Sequence, residues 1–104
     1  MSAVTTHLLD TMRGRPAAGV PVRLEHRDGT VLAETITDDD GRATDLGPDR
    51  LGAGDYRLIF DTAALFDRAF YPEVTVTFTI ADPDQHHHVP LLLSPFGYST
   101  YRGS

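Results

Sequence analysis

The segment Val74–Ile80 alternates without interruption between apolar residues and threonine. Side chains on one face of a β-strand recur at every second residue, so this pattern predicts a strand with one buried face. Val74, Val76, Phe78 and Ile80 are expected to point inward, and the threonines outward. In a helix the same period would scatter the apolar side chains around the axis, so the pattern favours a β architecture.

Further strand signals follow one another at intervals of about 8–12 residues, which is typical of a β-sandwich. They cover residues 4–10, 20–26, 30–36 and 54–60, with turns at 28–29 and 38–42. Residues 61–66 are the one helical stretch, with Asp61 or Thr62 as the expected N-cap. The sequence therefore predicts an all-β, two-sheet sandwich with one short helix. Its 104 residues are expected to form a single domain, 1–104.

Composition excludes several classes of function. The chain has 9 basic residues, all arginine, against 15 acidic ones, so a basic face for nucleic acid is not expected. It has no cysteine for disulfides, thiolate catalysis or cysteine-based zinc sites. Apolar runs are shorter than the ~18 residues of a membrane span. Because the start of the chain lacks the pattern of a secretory signal, we expect a cytoplasmic protein without a membrane partner.

The segment after residue 85 predicts a strand that is apolar on both faces. His87, Val89, Leu91 and Leu93 would face the core, and His86, His88, Pro90 and Leu92 the other side. A sandwich strand that is apolar on both sides suggests that its outer face is also covered. We therefore expect an oligomer whose interface contains His88.

The histidines allow three interpretations. His86 and His88 would share a strand face, and His7 is a candidate third ligand for zinc. Acid–base catalysis is a second interpretation, and ordinary hydrogen-bonded or surface histidines a third. The residues alone leave these open, whereas His26, beside a turn, is expected at the surface. The acidic run 38–40 lacks the spacing of a calcium loop and predicts a turn.

Three segments resemble the motifs of the transthyretin-like 5-hydroxyisourate hydrolases. They are THLLD at 6–10 followed by GRPA at 14–17, the stretch 37–42 ending in DGR, and residues 86–104 ending in YRGS. The resemblance covers nearly the whole chain, and the YRGS ending separates these hydrolases from true transthyretins. His87 stands where the family often has an aromatic residue. Since His87 lies on the other strand face, this departure affects the candidate site little.

The resemblance implies a transthyretin-like sandwich of seven or eight strands and a homotetramer with active sites between dimers. It implies hydrolysis of 5-hydroxyisourate, a small flat product of urate breakdown, without metal or cofactor. The catalytic positions it implies are His7, Arg42, His88 and Ser104, and the substrate-binding positions are Arg42, Tyr101, Arg102, Gly103 and Ser104.

The roles fit the chemistry of amide hydrolysis. His7 and His88 suit water activation and proton transfer, with the choice of base left open. Arg42 and Arg102 offer planar forks for substrate oxygens, and Arg42 supports the oxyanion. Ser104 is expected to form hydrogen bonds, and its carboxylate to orient a histidine or arginine.

Two other functions are consistent with parts of the sequence. One is a transthyretin-like small-ligand binding protein without catalytic activity, which would line its channel with more apolar groups. The other is a structural module, since residues 16–46 resemble the regulatory-like domains of carboxypeptidases. That resemblance covers only part of the chain and does not include the YRGS ending.

Overall fold

A computed structural model describes residues 2–104, and about half of them lie in two β-sheets. A short 3-10 helix spans Thr62–Ala64. The nine strands found in this part of the chain are β1 (Val4–Asp10), β2 (Arg15–Pro16), β3 (Pro21–His26), β4 (Val31–Ile36), β5 (Arg42–Ala43), β6 (Gly54–Phe60), β7 (Val74–Ile80), β8 (His87–Ser94) and β9 (Gly97–Thr100).

The larger sheet has the order β2-β1-β8-β9, and β5 also pairs with β1. The smaller sheet has the order β4-β3-β6-β7. Strands β1 and β8 run parallel, while the other pairs in both sheets are antiparallel. The predicted two-sheet sandwich is therefore confirmed, and β1 and β8 form the middle of its larger sheet.

The core lies between the sheets and follows the predicted alternation. On β7, Val74, Val76 and Ile80 are at most 9% exposed, and Phe78 is half-buried against the same core. The intervening threonines are exposed. Burial of these apolar side chains is the main term that stabilises such a sandwich. The inward face of β8 is buried in the same way, as the sequence predicted.

The predicted helix over residues 61–66 is reduced to the 3-10 helix Thr62–Ala64. Asp61 occupies the N-cap position, but its side chain makes no capping hydrogen bond. The hydroxyl of Thr62 donates to the carbonyl oxygen of Tyr71 instead. Six residues are too few to offset the cost of helix nucleation without such caps. Among residues 2–104, no helix has the length and apolar character needed to cross a membrane.

Candidate active site

His7, Arg42 and His88 lie on three neighbouring strands of the larger sheet. Register pairs His7 with Arg42 across β1 and β5, and Thr5 with His88 across β1 and β8. Because side chains alternate along each strand, Thr5, His7, Arg42 and His88 all project from the outer face. A cavity of about 240 Å³ lies there, lined by Thr5, Arg42, His86, His88 and Ser104 among others.

The main chain of Arg42 is held by the turn that we predicted from the acidic run 38–40. One carboxylate oxygen of Asp38 accepts the main-chain N–H groups of Asp40 and Arg42, at 2.9 and 3.0 Å. Gly41 has a φ of 74°, a backbone conformation that glycine adopts without strain. A methyl group on Gly41 would collide with the carbonyl oxygen of Leu8, so only glycine lets this turn approach β1 so closely.

The same turn orients His7. Its Nε2 lies 2.9 Å from the carbonyl oxygen of Asp40. A carbonyl oxygen can only accept, so His7 donates its Nε2–H in this contact. A neutral His7 therefore carries its free lone pair on Nδ1. This contact fixes both the ring orientation and the tautomer of His7.

His88 is half-buried, and its Nδ1 lies 2.9 Å from the hydroxyl of Thr5. Burial lowers the pKa of His88 below its ordinary value of 6.5. The charges of Arg42 and His7 lower this pKa further, as does that of His86. Desolvation and nearby positive charge both disfavour the imidazolium. His88 is consequently neutral at pH 7 and available to accept a proton.

The C-terminal tail is tied to the edge of β8. The main-chain N–H of Gly103 donates to the carbonyl oxygen of His88 at 2.8 Å, and Ser104 lines the cavity beside His88. Tyr101 and Arg102 line a second cavity of about 240 Å³ between β7, β8 and the tail, and His88 lines both cavities. The guanidinium of Arg102 donates to Oε1 of Gln85 at 2.9 Å. The structure thus brings Ser104, and not Tyr101 or Arg102, to the outer-face cavity.

The remaining histidines lie as the strand pattern predicted. His87 points into the core and is 5% exposed, and within residues 2–104 its Nδ1 has no hydrogen-bond partner. His26 has a side chain 46% exposed and lies near Asp28 at the β3–β4 turn. In the described part of the chain, no three His, Asp or Glu side chains are placed to hold a metal ion.

A larger cavity, of about 820 Å³, lies on the outer face of the smaller sheet. Its charged lining residues include Arg23, Glu34 and Glu73. Nε of Arg23 donates a hydrogen bond to the carboxylate of Glu25 at 2.5 Å, so the guanidinium is already paired with an acidic group. No histidine lines this cavity, and none of the site residues predicted from the sequence lies there. The smaller cavity beside His88 is therefore the stronger candidate.

Two contributors to the site were missed by the sequence reasoning. Thr5 contacts both His86 and His88, and the carbonyl oxygen of Asp40 contacts His7. A threonine in a strand is too common to stand out, and every residue has a carbonyl oxygen. The parallel pairing of β1 with β8, which brings Thr5 beside His88, leaves no local signal in the sequence.

Comparison with known proteins identifies the family. The model of the HIUase/Transthyretin family matches residues 4–103. The 5-hydroxyisourate hydrolase of Caulobacter vibrioides is 49% identical over 115 aligned positions that cover 100% of both chains. The solved structure of Klebsiella pneumoniae 5-hydroxyisourate hydrolase has a TM-score of 0.88 and 39% identity, covering 97% of this chain and 98% of that one.

A second similar solved structure is a transthyretin. Sea bream transthyretin in complex with thyroxine has a TM-score of 0.88 at 32% identity, covering 97% of this chain and 94% of that one. The fold alone therefore does not separate hydrolases from transthyretins, whereas sequence identity is higher to the hydrolases. With nearly all of its length matched by the family model, this chain belongs to the HIUase/transthyretin family.

Proposed function

We propose that this protein hydrolyses 5-hydroxyisourate to its ring-opened ureido-imidazoline product in urate catabolism. The full-length relative named for this activity supports the assignment at 49% identity. The main structural support for this function is that His7, Arg42 and His88 project from the same outer face of three adjacent strands. Hydrolysis of a ring amide needs a base, a proton donor and a positive group for the developing oxyanion.

His88 is our choice for the general base. It is neutral at pH 7 because burial and nearby positive charges lower its pKa. Its imidazole accepts a proton from water while the water oxygen attacks the ring carbonyl carbon. Arg42 binds the substrate and stabilises the negative charge on the carbonyl oxygen. The carbon–nitrogen bond then breaks, and the leaving nitrogen takes a proton from the histidine pair His7 and His88.

We propose that the tail completes the substrate site. Ser104 lines the cavity beside His88, and the main chain of Gly103 lies against the His88 ring. Tyr101 and Arg102, on the neighbouring cavity, are proposed to bind the substrate from that side. No metal or cofactor enters this mechanism, since the guanidinium of Arg42 among the histidines repels a cation.

We also propose a homotetramer whose active sites lie between subunits. Support comes from the apolar side chains of Pro90 and Leu92 on the outer face of β8, of which Leu92 is only half-buried within the single chain, and from membership of the family. Light scattering at micromolar concentration is expected to give about four times the chain mass of 11.4 kDa. A stable, fully active monomer would contradict a shared site. We predict a cytoplasmic location, and cell fractionation would test it.

One experiment separates a hydrolase from a small-ligand binding protein. Urate oxidase generates fresh 5-hydroxyisourate from urate, and the decay of its ultraviolet absorbance is followed with and without catalytic amounts of this protein. A hydrolase accelerates the decay with multiple turnovers. A binding protein without activity leaves the decay at its spontaneous rate or slows it in proportion to the protein added.

A further inference from the structure

The hydroxyl of Thr5 bridges two histidine rings. Its Oγ1 lies 2.8 Å from Nε2 of His86 and 2.9 Å from Nδ1 of His88. Thr5 is 4% exposed, whereas His86 is exposed and His88 half-buried. The three side chains therefore form a hydrogen-bonded chain from solvent to the wall of the candidate site.

A hydroxyl has one hydrogen to donate and lone pairs to accept. Thr5 therefore donates to one of the two rings and accepts from the other. If it donates to His88, Nδ1 of His88 is bare and its Nε2 carries the hydrogen. If it donates to His86, His88 donates its Nδ1–H to Thr5 and keeps a free lone pair on Nε2.

The second arrangement suits a base. His88 can then gain a proton on Nε2 while every hydrogen bond in the chain is kept. In the first arrangement a neutral His88 has its lone pair on Nδ1, so protonation there breaks the bond that Thr5 donates. A hydrogen bond donated by a histidine also favours its charged form.

We infer that Thr5 is a positioning residue that holds His88 in the Nδ1–H tautomer, with Nε2 free as the base, and that His86 anchors this arrangement by accepting the Thr5 hydrogen. The inference rests on the proposed hydrolysis. The charged or titratable residues around His88 include Arg42 on β5, His7 on β1, His86 just before β8, His87 on β8, and Tyr101, Arg102 and Ser104 in the tail.

The tautomer can be read directly in the wild-type protein. Long-range ¹H–¹⁵N correlation spectra of the histidine rings at pH 8 distinguish the two neutral tautomers. We expect His88 to show a protonated Nδ1 and a bare Nε2. A neutral His88 with its hydrogen on Nε2 would overturn the inference whether or not the protein is active.

Kinetics then test whether the hydroxyl matters for the reaction. Thr5→Val keeps the shape and removes the hydroxyl, and it is expected to lower kcat by about tenfold or more with little change in KM. It is also expected to move the acid limb of the kcat profile to lower pH, because the variant loses the hydrogen bond that His88 donates to the hydroxyl, and that bond favours the charged form of His88. Thr5→Ser restores the hydroxyl and is expected to recover most of the rate.

The matched control is Thr11→Val. Thr11 lies just after β1, and its hydroxyl donates to the carbonyl oxygen of Leu93 at 2.8 Å, away from the histidines.

Circular dichroism checks that each variant is folded, and Thr5→Ala replaces Thr5→Val if the latter is not. If the wild type is active and the hydroxyl-free variant has an unchanged kcat and pH profile, the inference is refuted and the proposed function stands. An inactive wild type refutes the proposed function, and the tautomer measurement still decides the inference.

Discussion

The main chain of Gly103 lies directly against the imidazole of His88. Its N–H donates to the carbonyl oxygen of His88 at 2.8 Å. A Cβ atom on Gly103 would lie 2.5 Å from Cδ2 of His88, closer than any ordinary carbon contact, and 3.1 Å from Cγ of Pro90. The tail thus fixes the position of the ring through close packing that glycine alone permits.

Gly103→Ala is therefore expected to displace the His88 ring while leaving the sandwich intact. A displacement of about 1 Å at a catalytic group can cost about 10²-fold in rate, so turnover should fall on that order. The control is Gly52→Ala, where the added methyl meets open space at an ordinary φ. Equal turnover in the two variants would show that the tail does not position His88.

A second glycine pair tests how Arg42 and His7 are positioned. Gly41 and Gly29 both have positive φ, 74° and 96°, so alanine is strained at each by about 1–2 kcal/mol. A methyl group at Gly29 meets nothing, whereas at Gly41 it strikes the carbonyl oxygen of Leu8. Gly41→Ala should lower both the thermal midpoint and turnover, and Gly29→Ala only the midpoint, by less. The prediction fails if the two variants behave alike in calorimetry and in the decay assay.

The charge of Arg42 should be visible in the titration of His88. Arg42 is one of the causes that lower the pKa of His88, after burial. Arg42→Gln removes that charge, so the pKa of His88 should rise toward 6.5. The acid limb of activity reports the same group: the base works only when neutral, so the rate falls as pH drops through this pKa. An NMR titration of the His88 ring proton measures the shift, with Arg27→Gln in the turn between β3 and β4 as the control.

Removal of the tail should separate activity from stability. The core strands end with β9 at Thr100, and residues 101–104 contribute few bonds, chiefly Gly103 to His88 and Arg102 to Gln85. A chain ending at Thr100 is expected to keep a cooperative unfolding transition and lose most of its turnover. Retained activity in this variant, measured beside its thermal midpoint, would remove the tail from the site.

The strands could be predicted because buried and exposed side chains alternate along them. Val74–Ile80 and Gly54–Phe60 were predicted with the bounds that the structure has. Strands β2 and β5 have two residues each, too few to show any period. The helix of one or two turns predicted at 61–66 is shorter in the structure, and Asp61, one of its two expected caps, makes no capping bond.

The site was only partly predictable. The resemblance to the family selected His7, Arg42 and His88, and strand pairing brings these residues to one face. That pairing joins residues about 80 positions apart, such as Thr5 and His88, and no local pattern records it. The face of His87 was predictable from alternation, but its lack of a polar partner depends on packing.

The most direct test compares neighbouring histidines in the 5-hydroxyisourate decay assay. His88 faces the candidate site, whereas His87 faces the core with an unpartnered Nδ1. We predict that His88→Ala lowers turnover by about 10²-fold or more. His87→Leu, which removes a buried unpaired polar atom, should keep nearly the wild-type rate and at least the wild-type stability. Equal losses in both folded variants, or a wild type that leaves the decay at its spontaneous rate, would contradict the account.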